Sequence, residues 1–438
     1  MKLSGLLFFF WVCAVFSVTI AAPKRDSSRS KKIWDWELRL NTLASLSYQK
    51  YHADEFNFLN QILKKPETSL QLEFQPTFDL KFRRLPLKWL VKPLFKARFS
   101  TYLISSENKS TTITDYGFWE NYLTIELAQQ LEASAGIINL QWGPSELVNP
   151  SQFLLTQQTL TTEPYQFFQG IEIAQILWTP LQNVTLNLVK ELKPFEWEHT
   201  DELAGYRPRN FFDRTLLRGE YSSDNGALTV GQVIGAKNSD RWRWQYGGYA
   251  LWNYTDWTQL YTDYMTQAGS EVDYWDGTQL VRHYDESNYV FFLGVLGHRL
   301  TFDNGMEWKI EWISNSFGKS KNELTTEHTT LKQNPFQPLA LMAYYQRYYI
   351  FPGQNYVYNS LRWDNPIFLS SLFSTSTLFL RDLVSLSDSS HFVNFEFQSS
   401  LSDNWSHAFA LIKTLGEPEG ELNAQLNMYG SYVIKRSF

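Results

Sequence analysis

Cysteine is almost absent from this 438-residue chain: the one example, Cys13, lies inside the apolar run LLFFFWVCAVFSVTIAA from Leu6 to Ala22. Behind the short basic start Met1-Lys2, that run has the form of a secretory signal peptide with small residues at its end. Cleavage is expected after Ala21, which keeps Pro23 from directly following the cut. The mature chain would then hold no cysteine, so an exported protein without disulfides is expected, in a bacterium rather than in a eukaryotic secretory route. The glycosylation-type triplets at Asn108, Asn183, Asn253 and Asn404 do not outweigh that absence in a chain with so many Asn and Thr residues.

Other absences narrow the class further. After residue 22 no stretch approaches the roughly 20 apolar residues of a membrane helix. A net charge of −6 and a pI near 5.7 leave no basic footprint for nucleic acid. The histidines (His52, His199, His283, His298, His328, His391, His407) form no H-E-x-x-H spacing, and there is no G-x-S-x-G or phosphate-binding glycine loop. No enzyme, no metal and no cofactor is therefore expected.

What the chain does have is aromatic residues, 17% of the total, in a chain whose mean hydropathy is only −0.34. Large apolar side chains are diluted by polar ones, and the dilution has period two. WDWELRL sets Trp34, Trp36, Leu38 and Leu40 against Asp35, Glu37 and Arg39, and LQLEFQPTFDLKFRR does the same over a longer run. Strands are expected near 34–48, 69–83, 93–104, 119–129, 131–141, 166–178, 182–193, 212–223, 226–236, 240–254, 257–268, 288–302, 305–317, 338–350, 366–382, 391–401, 405–414 and 421–438. Several reach the 9 to 11 residues, roughly, with which a tilted strand crosses a bilayer. Asp224-Asn225-Gly226 and Asp303-Asn304-Gly305 read as tight hairpin turns. Short connections alternate with long polar ones near 49–68, 142–165, 194–211, 269–287 and 318–337.

An even strand number with short turns at one end and long loops at the other predicts an all-β fold: a transmembrane antiparallel up-and-down barrel of about 18 strands (16 to 18), with short periplasmic turns and long extracellular loops. Residues 1–21 are expected as signal, 22–33 as a short periplasmic segment and 34–438 as the barrel. On these features the mature chain resembles the Gram-negative outer-membrane proteins, and the porins in particular: a cleaved signal, no cysteine, alternating strands and Phe438 last. The resemblance implies an outer-membrane location, and a final strand whose Tyr432, Ile434 and Phe438 are read by the barrel-assembly machinery. Arg436, on the outward face, departs from that pattern. Implied partners are outer-membrane lipid and lipopolysaccharide, small hydrophilic solutes and further copies of the chain.

A lumen of this width is too broad for strand side chains alone to fill. The segment QWGPSELVNPSQFLLTQQTLTTEP, Gln141 to Pro164, carries apolar residues that would be costly to leave in water, with Gly143-Pro144 and Asn149-Pro150 fixing turns between them. In porins the third loop folds into the channel, and this segment holds that ordinal place. Trp142, Pro144, Leu147, Pro150 and Phe153 are expected to pack it. Strand parity and height put Arg39, Arg98, Arg218 and Lys309 near mid-barrel, where they could face Glu146, with Glu311 also lining the lumen. The expected function is passive diffusion of small hydrophilic solutes, with 141–164 as constriction. The alternatives are a barrel that binds or anchors surface polysaccharide and a barrel hydrolase.

Overall fold

In the computed structural model the described residues are 36–52, 68–82, 87–104, 107–152, 170–193, 213–237, 243–268, 273–275, 278, 280–282, 290–334, 351, 353–366, 369, 373–402, 404–416, 422 and 428–437. The expected signal, the segment 22–33 and Phe438 lie outside them. The strands are β1 Trp36–His52, β2 Thr68–Phe82, β3 Leu87–Ile104, β4 Glu107–Ala128, β5 Leu131–Ile138, β6 Ile171–Leu181, β7 Val184–Glu191, β8 Arg214–Ser222, β9 Leu228–Lys237, β10 Arg243–Thr255 and β11 Thr258–Ala268. A short hairpin follows, β12 Asp273–Trp275 with β13 Leu280–Arg282. Then come β14 Val290–Thr301, β15 Met306–Asn315, helix α1 Lys321–Gln333, β16 Asn355–Asp364, β17 Thr375–Ser385, β18 His391–Ser402, β19 Trp405–Leu415 and β20 Met428–Ser437.

Eighteen of these strands make one sheet, each paired antiparallel with its neighbours in sequence. β20 also pairs with β1 over Leu43 to His52, so the pairing runs full circle. That matters in lipid, where an unpaired peptide group costs several kcal/mol, roughly, and an open edge would leave a whole row of them. No described helix is long and apolar enough to cross a membrane. The fold is a transmembrane up-and-down β-barrel, and its strands do the crossing.

Alternation sets which side chains enter the barrel. On β9, Val233 is buried while Ile234 is exposed, and on β15, Glu311 and Ile313 are buried while Trp308 and Trp312 are exposed. The outward set, including Trp178, Leu217, Trp244, Trp252 and Phe292, is apolar and aromatic, as a lipid-facing wall requires. The two DNG turns are built as their chemistry predicts. Gly226 and Gly305 take φ of 68° and 79°, and the Asn225 and Asn304 side chains accept from the backbone N–H of Ala227 and Met306, both at 3.1 Å.

Two elements differ from the sequence expectation. The fourteenth strand of the ring is Asn355–Asp364, not 338–350, which lies outside the described residues, and the next strand starts at Thr375 rather than 366. The reason is that β16 puts Tyr356 and Tyr358 inward, which blurs its polar-apolar alternation. β4 is also much longer than expected, at 22 residues, because its polar first half pairs with β3 through Glu107.

Candidate functional site

The connection from β5 to β6 begins at residue 139, and its described part runs to 152. It turns into the barrel and reaches β16, which stands eight strands from β6 one way round the ring and nine from β5 the other. Contact is made through Glu146. Its carboxylate accepts from Lys309 Nζ on β15 at 2.7 Å, from the Tyr358 hydroxyl at 2.8 Å and from Ser360 Oγ at 3.1 Å on β16. Arg381 on β17 lies 3.8 Å from the same carboxylate and donates to Glu396 on β18 at 2.8 Å. Burial alone would raise the Glu146 carboxyl, but the Lys309 charge and hydrogen bond, the Tyr358 hydroxyl and Arg381 hold it below the usual value.

The loop backbone is fastened separately. Glu311, fully buried, accepts from the N–H of Glu146 at 2.6 Å, from the N–H of Leu147 at 3.3 Å and from the Tyr261 hydroxyl at 2.9 Å. Asp263 on β11, also fully buried, accepts from the N–H of Ser151 at 2.7 Å, and the Ser151 carbonyl accepts from the Trp142 indole at 3.0 Å. Two strand residues thus hold the loop by its peptide groups, in addition to the contacts of the Glu146 side chain. Hydrogen bonds to charged groups contribute about 1.5–3 kcal/mol each. Gly143 takes φ of 86°, and a Cβ there would sit 2.1 Å from Asp263 Oδ2, so only glycine lets the loop approach that carboxylate.

Apolar packing completes the attachment. Trp142, Val148 and the half-buried Leu147 join inward residues of β6 to β17, among them Ile173, Val189, Leu216, Met265 and Ile313. Pro150 is buried and Pro144 half-buried, whereas Phe153 lies outside the described residues. Of the expected mid-barrel cations, Lys309 meets Glu146. Arg218 does not: its guanidinium stands 5.4 Å from the Trp142 ring centroid and donates to the Tyr249 hydroxyl at 2.7 Å and to Glu220. Arg39 and Arg98 belong to β1 and β3, where their side chains are outside the description. Tyr432 and Ile434 face outward on β20, Tyr432 exposed and Ile434 half-buried.

Sequence reasoning missed Tyr261, Asp263, Tyr358, Ser360 and Arg381. Parity carries a signal for Asp263, because it falls between Tyr261 and Met265 on the inward face of β11, an odd place for a carboxylate with nothing to hold. Arg381 was obscured by the displaced start of β17.

The site is thus a loop clamped across the inside of a membrane-spanning barrel. The chain matches no family model, and no curated protein matches it in sequence. Among solved structures it is similar to Pseudomonas aeruginosa OccK11 (OpdR), at 9% identity and TM-score 0.50, over 92% of this chain and 96% of that one. It is also similar to the outer membrane protein OprD from Pseudomonas aeruginosa (10% identity, TM-score 0.49, 92% and 94% covered) and to a BenF-like porin from Pseudomonas fluorescens Pf-5 (8%, 0.47, 92% and 98%). The likeness to OccK11 is one of fold.

Proposed function

We propose that this protein is a channel of a Gram-negative outer membrane through which small hydrophilic solutes diffuse, narrowed by the loop 141–164. The observation that carries the reading is the Glu146 clamp. A loop that spans the lumen and ends on Lys309, Tyr358 and Ser360 of the far wall leaves solutes the space beside it, between charged groups of both signs. The apolar outward wall supports a membrane location, and the strand-to-strand fold is that of the porin-type barrels. Planar-bilayer recording tests it: discrete conductance steps are expected, and their complete absence from an intact, heat-modifiable barrel would remove the channel.

One observation favours a second reading. The apolar cluster that includes Trp142 and Val148 extends over inward residues of β6 to β17, so much of the lumen is occupied by packed side chains. A barrel filled to that extent could hold a surface polysaccharide rather than conduct. An intact barrel that never opens but retains polysaccharide through purification decides for this reading.

A further inference from the structure

The turn that closes the described part of the loop holds more oxygen than its own hydrogen bonds use. In Asn149-Pro150-Ser151-Gln152 the Gln152 N–H donates to the Asn149 carbonyl at 3.0 Å, and proline presets the second position. Three side-chain oxygens of this turn, Asn149 Oδ1, Ser151 Oγ and Gln152 Oε1, are buried without a hydrogen-bond partner. The other end of the Gln152 amide is engaged, since Nε2 donates to the Leu140 carbonyl. Across from the turn stands Asp263, 0% exposed. Its Oδ1 accepts from the Ser151 N–H at 2.7 Å, and its Oδ2 accepts from nothing.

Two of these oxygens converge. The point where a side chain would begin on Gly143 lies 2.1 Å from Asp263 Oδ2 and 3.1 Å from Asn149 Oδ1. Both atoms therefore face one small volume on the bare side of Gly143, near enough to each other to share an ion at calcium–oxygen distances of roughly 2.3 to 2.6 Å. Charge points the same way. Glu311 acts electrostatically on Asp263, and both carboxylates accept only from neutral donors among the described residues. The cations around them are committed elsewhere: Lys309 to Glu146 and Glu307, Arg299 to Glu307, and Arg381 to Glu146 and Glu396. Buried charges are as a rule paired or bound to a metal.

We propose that Asp263 Oδ2 and Asn149 Oδ1 bind a calcium ion beside Gly143, with the remaining oxygens of the turn and water completing its shell, and that this ion ties the loop to β11. The chemistry of the ligands selects the metal. Carboxylate, amide and hydroxyl oxygens suit a hard cation, and calcium tolerates an irregular shell of roughly six to eight oxygens where magnesium demands a near-ideal octahedron. Zinc and its neighbours favour nitrogen and sulfur, and the described residues hold no group of three His, Cys, Asp or Glu side chains to receive them. The site stands whether or not the barrel conducts.

Terbium luminescence tests it. The Trp142 indole donates to the Ser151 carbonyl at 3.0 Å, so it lies beside the turn and can excite a terbium ion bound there. Refolded barrel free of lipopolysaccharide should bind terbium saturably, and calcium should displace it. Asp263→Asn should weaken calcium binding by about tenfold or more. Asn149→Asp adds a second carboxylate to the shell, so calcium should bind it about tenfold more tightly and raise its unfolding temperature further than it raises that of the wild type. Without an ion, the same substitution sets two carboxylates against each other and only destabilises. Should Asp263→Asn fail to assemble, Asn149→Ala, which alters the loop and not the barrel wall, should show the loss instead. No calcium-sensitive luminescence in the wild type, equal calcium affinity of the wild type and these weakened variants, or no gain in Asn149→Asp overturns the proposal. Binding is read without current, so a barrel that holds calcium through Asp263 but never conducts loses the channel and keeps the site, whereas one that conducts and binds no calcium does the reverse.

Discussion

The barrel interior has two unlike walls. From β6 to β15 the inward positions carry Ile173, Val189, Leu216, Met265, Leu293 and Ile313, each at most 1% exposed and packed in one cluster with the loop residues Trp142 and Val148. From β18 round to β2 polar groups are interleaved with apolar ones: Asn394, Glu396, Ser431, Lys435, Ser69 and Gln71 stand beside Ile412, Tyr429 and Val433. Both walls follow the same period-two alternation. The difference lies in what they face. A bare apolar wall would forfeit about 1.5–3 kcal/mol per large side chain in water, so its existence implies a cover, and the β5–β6 connection supplies it. The mixed wall from β18 to β2 has fewer such side chains and needs less cover.

The largest expected effect compares the walls directly. Leu216→Ala should cost about 2–5 kcal/mol, because it opens a cavity where loop and strands meet, whereas Ser431→Ala on the mixed wall should stay within about 0.5 kcal/mol. Denaturant midpoints of the refolded barrels measure both, and equal shifts would erase the distinction. Next in size is Gly143→Ala. Its Cβ would run into Asp263 Oδ2, and its φ of 86° is unfavourable for alanine. A strain of about 1–3 kcal/mol should pull the loop off β11 and raise single-channel conductance while the barrel stays heat-modifiable. Unchanged conductance would mean that the Asp263 contact does not hold the loop in place.

Charge reversal sharpens the comparison further. Glu146→Lys sets a third cation beside Lys309 and Arg381, and should raise the anion-to-cation permeability ratio by about twofold or more. Reversal potentials in a salt gradient read this, and values identical to wild type would take Glu146 out of the permeation path. The smallest effect is the pH response. Because the Glu146 carboxyl is held below its ordinary value, its pairing contributes stability above the unfolded value, about 4.3, and loses it only as pH falls through the lower, folded one. The part of the conductance that depends on Glu146, read as the difference between wild type and Glu146→Gln, should therefore be steady from neutral pH down to the ordinary carboxylate range and change only below it. A step in that difference near pH 5 or higher would contradict the clamp.

Much of the fold was legible because it rests on local rules. Period-two alternation marks a strand whatever it pairs with, and DNG marks a hairpin because Gly takes positive φ and Asn caps the turn, as at Asn225 and Asn304. β16 was missed because Tyr356 and Tyr358 made its inward face look apolar. That face is apolar because the loop region packs there, which no local pattern records.

The sequence by itself determined most of the strands, their alternation and an even-numbered barrel, since these follow from backbone pairing and from lipid on one side. It also marked the loop 141–164 as too apolar for water, and Glu146 as a charge placed to face the lumen. Only the tertiary structure decided that Glu146 meets Lys309, Tyr358, Ser360 and Arg381, and that Glu311 and Asp263 hold the loop by its peptide groups. These partners stand 112 to 235 positions away along the chain. Closing the ring brings them together, because strand order and register, summed around eighteen strands, fix which inward residues lie across the lumen from the loop.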